Sequence, residues 1–577
     1  MNKFFITLSL AMTSGIAANA QSAIDGYRFS QPDLKGTARF MGMAGAFGAL
    51  GGDLSTLSQN PGGIGIYRSN DIGFTVDLDF QKSLGKSDLG ETSLTQTKFL
   101  LNNIGGVFTL KLPSTTVPNL NFGFTYNKGA SFNRQYGGSM TLGNSLSNYI
   151  AGVANSSGPN GGPLYVGDVT ATNKFDPYFP NDGGTAAPWL TILGYDSYLT
   201  TPSGEGENTQ WFGQWGNGTT GVGRFQVQEK GSMDEYNIAF GGNISNVVYW
   251  GMNFDIVNFN YTQNAYWGEQ LQDAYVPDAD DSQTVRTSAD WTMHNYYNVS
   301  GSGFNYQIGV ILKPIQEFRI GLAFHTPTWY NMTETYGANI DYRYGGTETG
   351  GAQTNNGQLA YNDMCFRTPM KFIASAAGVI GNSLIVSLDY EWTPYNKMKF
   401  SQAGSYSSGS SWDYGYDYPW YYGSADMKGA PALPGSRASY WDSDEFYYTN
   451  EDIKTYYQST NTIRIGAEYR VTPNFSVRAG YSYVSSPVKN EVKEDKEFVY
   501  TSGTLTNYRL DNETNYITLG LGYRGSHFYA DLAYVYKNMQ SEYHAYTPDT
   551  GAGALPSPKS KLSLTNNQLV LTAGYRF

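Results

Sequence analysis

Residue types able to do chemistry are few and scattered in this sequence. The four histidines, His294, His325, His527 and His544, lie in separate segments, and no two have the spacing of paired metal ligands, so each is read as structural or solvated. The acidic run DADDSQ at 278–283 lacks the ligand spacing of a dedicated calcium loop and is read as a solvated acidic loop. Asp389 and Glu391 alternate with Leu388, Tyr390 and Trp392, which puts the two carboxylates on the wet face of a strand as charges, not as an acid–base pair. Glycines at 42, 45, 48 and 51 invite a phosphate-loop reading, but no strand precedes them and no lysine follows at the required position. Serines abound without a base and orienter that the sequence ties to them. The dense aromatic stretch SSWDYGYDYPWYYGS at 410–424 offers ring faces for sugars or apolar ligands, or for its own packing. No catalytic residue, metal site or cofactor is expected, and the chain is read as a non-enzyme.

The elements that carry these residues follow from composition. The chain has 577 residues, 40% apolar and only 15% charged, with 48 tyrosines and 68 glycines, the balance of a large β-protein rich in turns and half-wet aromatic positions. Lys3, the apolar run from Phe4 to Ile16 and Ala18-Asn19-Ala20 read as a secretory signal peptide over 1–20, cleaved before Gln21. Cys365 is the single cysteine, so no intramolecular disulfide holds the fold. Past the signal no run approaches the roughly 20 apolar residues of a membrane helix. A net charge of −12 argues against nucleic acid.

Segments of about 10 residues alternate instead, as strands between lipid and a wet lumen must. In DIGFTVDLDF, Ile72, Phe74, Val76, Leu78 and Phe80 share one face and Thr75, Asp77 and Asp79 the other. The pattern predicts fourteen strands, near 71–80, 103–112, 119–134, 234–243, 247–261, 303–313, 318–330, 366–380, 383–400, 456–470, 475–484, 513–523, 527–537 and 567–577. Short connections such as NISN, VTPN and RGSH alternate with long ones at about 135–232, 262–302, 331–365, 401–455, 485–512 and 538–566, read as extracellular loops. The fold class expected is all-β: a transmembrane antiparallel β-barrel of about 14 strands over 70–577, in a bacterial outer membrane, contacting its lipids. The last strand ends at Phe577 with Leu569, Leu571, Ala573 and Tyr575 on one face, a signal suited to barrel-assembly machinery. A monomer is expected.

Residues 21–69 are not strand-like. The small residues of GTARFMGMAGAFGALGGDLSTLSQNPGGIGIY suit close packing against other backbone, so the segment is read as a lumenal plug, or hatch. Its Gly36, Arg39, Gly45, Asp53, Asn60 and Pro61 resemble the amino-terminal hatch of the FadL/TodX transporters of fatty acids and hydrocarbons. The resemblance continues through IGLAFHTPTWY, TPMKFIASAAG, VSLDYEWTPYNKMKF and NTIRIGAEYRVTPNFSVRAGYSY, but not the long loops. It implies passive import of a hydrophobic small molecule, with long-chain fatty acids or similar apolar compounds as cargo, and lateral exit through a kinked third strand. Hatch side chains Phe40, Met41, Met43, Phe47 and Leu50 are the candidate ligand contacts. Asn60, Pro61, Gly62 and Gly63 are the corner turning the plug into strand one, with the glycines supplying dihedrals closed to other residues. Asn127, Lys128 and Gly129 are the candidate gate kink, because a lysine next in line on the lipid face is better accommodated by a bulge, or else already lies at the interface. The alternatives are a general porin, which explains the barrel alone, and a surface receptor or adhesin, which explains the aromatic loops alone.

Overall fold

Strand follows strand in antiparallel register until the last pairs with the first. The wall strands are β1 (Asp71–Ser87), β2 (Gly90–Lys111), β3 (Asn119–Ser131), β4 (Thr220–Ile244), β5 (Val248–Pro277), β6 (Thr284–Ile315) and β7 (Phe318–His325). They continue as β8 (Lys371–Ile380), β9 (Leu384–Pro394), β10 (Ser459–Arg470), β11 (Phe475–Val484), β12 (Tyr508–Arg524), β13 (Phe528–His544) and β14 (Lys559–Arg576). β14 pairs with β1, closing a fourteen-stranded barrel. This computed structural model describes residues 22–172, 174–179, 187–277, 284–381, 383–403, 446–501, 503–547 and 557–577. The signal peptide expected at 1–20, the acidic run at 278–283 and the aromatic stretch at 410–424 lie outside the described residues.

Alternation decides which way each strand faces. On β1, Ile72, Phe74 and Phe80 are exposed outward while Asp71, Asp77 and Asp79 are buried inward. β12 repeats this with Ile517, Leu519 and Leu521 outside and Thr518 inside, so the apolar exterior suits lipid.

Two expectations about the loops are corrected. β1 and β2 run on past the bounds expected for the first two strands, 71–80 and 103–112, to a tight turn at Ser87–Gly90. Much of 262–302 and 538–566 is strand: β5 and β6 pair out to Pro277 and Thr284, and β13 and β14 to His544 and Lys559. Within 331–365, the strands Trp329–Tyr344 and Ala360–Arg367 pair with each other, the former also with β6. Beyond the bilayer there is no lipid to impose apolar alternation, yet the backbone still needs hydrogen-bond partners, so pairing continues where the pattern fades.

The insertion between β3 and β4 folds over the long-loop end. Its helices α1 (Leu146–Ala154) and α2 (Trp189–Asp196) bury Leu146, Ile150, Leu190 and Leu193 against Trp267, Trp291, Tyr543 and Tyr546 of the wall extensions. At the opposite end the connections are short, and the plug leaves the lumen there: Asn70 and the final residue, Phe577, exchange two backbone hydrogen bonds of 3.0 and 3.1 Å.

Candidate functional site

The plug, residues 22–69, fills the lumen from the short-turn end up to an aromatic cluster. The helix Ala23–Ser30 sets Tyr27 against Tyr395 and Tyr457, and Phe29 against Phe259 and Phe366, at ring-centroid distances of 5.0–5.8 Å. Below it, Asp53 accepts from the Thr37 hydroxyl (2.7 Å) and the Ser55 amide (3.0 Å), tying two turns of the plug together.

Asn60 caps a 3-10 helix over Pro61–Ile66: its Oδ1 accepts from the Gly62 amide at 3.0 Å and its Nδ2 donates to the Gly48 carbonyl at 2.5 Å. The glycines here are needed for room, and the expectation that they supply unusual dihedrals is corrected. Neither Gly62 nor Gly63 has a positive φ. A Cβ on Gly62 would instead stand 2.9 Å from the carbonyl oxygen of Gly309 in the wall, and one on Gly63 would meet the Thr56 hydroxyl at 2.7 Å. Plug and wall touch backbone to backbone.

Among the five apolar plug residues singled out from sequence, Phe40 borders a lumenal cavity beside the β2–β3 seam. Met41, Met43, Phe47 and Leu50 do not border it; they are packed in a cluster with Ala533, Val535 and Val570 of the wall. The wall also holds the plug by charge. Lys35 forms a fully buried ion pair with Asp77 of β1 at 2.5 Å and donates to Gln568 of β14 at 3.1 Å. Arg39 pairs with Glu468 of β10 (2.9 Å), which also receives Arg478 (2.6 Å). Burial alone would lower the Lys35 ammonium, but Asp77, Asp33 and Asp79 outweigh it and hold it above its usual range. Burial would likewise raise the Asp33 carboxyl, yet Lys537, Lys35 and the Tyr516 hydroxyl hold it below the usual carboxylate range. Asp389, expected as a wet-face charge, is buried and accepts from the Gly48 amide (2.8 Å) and from Gln59 (3.0 Å). Its neighbour Glu391 pairs with Arg464 at 2.8 Å.

The wall is interrupted at one seam. β2 pairs with β3 only from Asn103–Lys111, opposite Asn127–Asn119; from Leu101 to Gly90 its partner is β1 alone. β3 shifts register against β4 between Lys128 and Ala130, at Gly129. The chain then turns into the lumen, where the strand Arg134–Thr141 pairs with β4 and crosses the inner face of β1, receiving Ser83 Oγ at the Gln135 carbonyl and Ser87 Oγ at the Ser139 carbonyl. Asn127 bonds to Asn103 across the last paired position and donates to Ser58 of the plug at 3.2 Å. Lys128 forms an ion pair with Asp234 at 2.6 Å, beside Tyr126 and Tyr236, the aromatic level of these strands. The Gly129 carbonyl accepts from the Asp33 amide of the plug at 2.8 Å, and a Cβ there would stand 2.8 Å from Met233 Cε and 2.9 Å from Glu235 Oε1.

Inside this seam lies a cavity bordered by Leu34, Phe40 and Ile373 and by Asn127, Lys128 and Gly129. It shares Ser58, Glu235, His325 and Lys371 with a second, smaller space that Asp255 also borders. The sequence reading did not single out Glu235, Asp255 or Lys371. Each is an inward residue on an alternating strand, and their convergence from β4, β5 and β8 depends on register. His325 is held by the Gln59 carbonyl of the plug at 2.8 Å. No group of three or more His, Cys, Asp or Glu side chains able to hold a metal occurs among the described residues.

A closed fourteen-stranded barrel, apolar outside and filled by its own amino-terminal segment, defines a plugged outer-membrane channel. Residues 257–496, from within β5 to beyond β11, match the family described as outer membrane protein transport protein (OMPP1/FadL/TodX). The four barrel stretches that carry the resemblance in sequence fall inside the matched span; the plug residues lie outside it. Among solved structures, a Pseudomonas aeruginosa FadL homologue is similar over 95% of this chain and 100% of its own, at 11% identity and a TM-score of 0.48. The P. putida toluene transporter TodX is similar over 94% and 99%, at 12% identity and a TM-score of 0.46. The CymD monoaromatic hydrocarbon channel is similar over 95% and 99%, at 10% identity and a TM-score of 0.42. No curated protein matches the chain.

Proposed function

We propose that this protein imports hydrophobic molecules passively, long-chain fatty acids or similar apolar compounds, and releases them sideways into the bilayer between β2 and β3. The observation that carries the reading is the interrupted pairing of that seam: β2 continues past Asn103 while β3 breaks register at Gly129 and turns inward. On the unpartnered stretch of β2, Phe99 and Leu101 are exposed on the outer face, so the gap borders hydrocarbon. An apolar solute gains by passing from a lumen into lipid and gains nothing from aqueous periplasm. In this reading the short turns face the periplasm and the capped end faces outside. Phe577 serves barrel assembly, a leader at 1–20 directs export, and the barrel works as a monomer. A plugged lumen disfavours the porin alternative.

Gly129→Val tests the reading, because a Cβ there would stand 2.8 Å from Met233 Cε and 2.9 Å from Glu235 Oε1, so a β-branched side chain takes up space at the seam that those two side chains now occupy. Uptake of a labelled long-chain fatty acid by intact cells should fall while surface display, checked by an epitope inserted after Gly206, stays normal. Unchanged uptake with normal display would remove lateral exit at this seam.

A further inference from the structure

Charges around the two connected lumenal spaces are mostly matched. Lys128 is paired with Asp234, Arg464 with Glu391, and Lys537 with Asp33, all at 3.1 Å or less. Two inward carboxylates differ. Asp255 is 1% exposed; its Oδ2 accepts from Asn305 at 3.0 Å, while its Oδ1 has no hydrogen-bond partner among the described residues. Glu235, one strand away, borders both spaces and lies against Gly129 at the β3 bulge. Neither carboxylate has an ion-pair partner within 4.0 Å among the described residues, and a single ammonium, Lys371, borders the same space. A buried carboxylate oxygen without a donor is costly and is an acceptor waiting for one. A ligand carboxylate brought here would face two carboxyl groups and a single ammonium, Lys371. The larger space offers Leu34, Phe40, Ile373 and Val484 to an apolar tail.

Resting on the import reading above, we infer that, among the hydrophobic molecules this protein admits, those whose head donates hydrogen bonds, a hydroxyl or an ammonium group, are bound most tightly, the head being received by Asp255 and Glu235 just inside the seam, ahead of a carboxylate head. The head would take the smaller space and the tail the larger. Discrimination of this kind can be large, because a site built to accept from a donor leaves its own polar atoms unpaired when the donor is missing.

The test is calorimetric titration of the full-length, detergent-solubilised protein at pH 7.5 with dodecylamine, dodecanol and dodecanoate, which share a tail and differ in the head. Dodecylamine or dodecanol should bind at least roughly tenfold more tightly than dodecanoate, a difference of about 1.4 kcal/mol. Asp255→Asn and Glu235→Gln should each shrink that preference, while dodecanoate binding holds or improves. The order between amine and alcohol separates a cationic from a neutral donor. Dodecanoate binding most tightly to the unaltered protein would overturn the head-group assignment whatever the variants do, and would leave the importer standing. A preference that survives in both variants would overturn the two carboxylates as its source. Failure of all three ligands to bind would overturn the importer reading together with this one.

Discussion

Two seams flank the β1–β2 pair, and they are built differently. On one side β1 and β14 stay in register from Asp71 opposite Arg576 to Lys86 opposite Lys561. On the other, β2 and β3 stay together only as far as Asn103 and Asn127. The plug treats the two sides differently as well. It is bolted to the closed seam by the buried Lys35–Asp77 pair and the Lys35–Gln568 bond, with Ala38 also donating to Thr572 of β14 at 2.7 Å. At the level of the bulge, among the described residues, it meets the open seam through neutral hydrogen bonds, Asp33 N–H to the Gly129 carbonyl and Asn127 to Ser58. Neutral bonds contribute roughly 0.5–1.5 kcal/mol each, whereas removing one partner of a buried ion pair costs roughly 3–5 kcal/mol. If one edge of the plug loosens to let a molecule out, it is the edge at β3.

The strongest test of that asymmetry is to remove the plug altogether. Deleting residues 22–66 should leave a folded barrel that conducts ions in planar bilayers far more than the parent; equal conductance would mean that the plug does not close the lumen. Next in size, Lys35→Met strands the Asp77 carboxylate at the closed seam and should destabilise the plugged state by about 3–5 kcal/mol, read as a lower melting temperature or earlier proteolysis of the plug. An unshifted profile would break the claim that charge anchors this side. Acid should act more gradually. The Asp33 carboxyl has its folded pKa depressed, so its contribution is present in full above the unfolded value, near pH 4, and is lost as pH falls towards the folded value. Plug protection measured from pH 6 to pH 2 should therefore decline, and less so in Asp33→Asn. Asn127→Ala at the open seam should cost only about 1 kcal/mol of stability while raising basal leak. Asp234→Asn removes the charge opposite Lys128 but keeps an oxygen for the Tyr126 and Ser232 hydroxyls, and should lower the melting temperature less than Lys35→Met does.

Much of the wall was legible in the sequence because lipid imposes a pattern. A strand such as Asn515–Arg524 must present Ile517, Leu519, Leu521 and Tyr523 outward, and nothing else satisfies both its faces. Where the constraint ends, legibility ends: β2 above Asn103 and the far halves of β5 and β6 pair without an apolar period to announce them. The plug glycines were visible as a compositional oddity, but their reason was not. Gly62 meets Gly309, and which wall residue stands opposite is a matter of three-dimensional register. The same holds for Glu235 and Asp255, which look like any inward polar residue until adjacent strands set them beside one gap. The break at Gly129 had a local cue, since Lys128 follows Phe122, Phe124 and Tyr126 on the outer face. What no local cue conveyed is that the chain turns inward there and lies across β1.

The contact between Asp71 and Arg576 joins residues 505 positions apart, so the seam that closes the wall is also the one whose ends must find each other over nearly the whole chain. Loop closure over such a distance is entropically costly and slow. Until the final strand arrives, β1 to β13 form a curved open sheet with two edges, and its inner face is accessible. The plug precedes all of them in sequence and can be laid on that face before it is enclosed, with Lys35 already seated on Asp77 and only Gln568 missing. A plug so placed can serve as a template for the curvature that brings the two edges within reach. The plug deletion should accordingly slow the appearance of the compact, heat-modifiable band on gels during refolding, even where the finished barrel is stable.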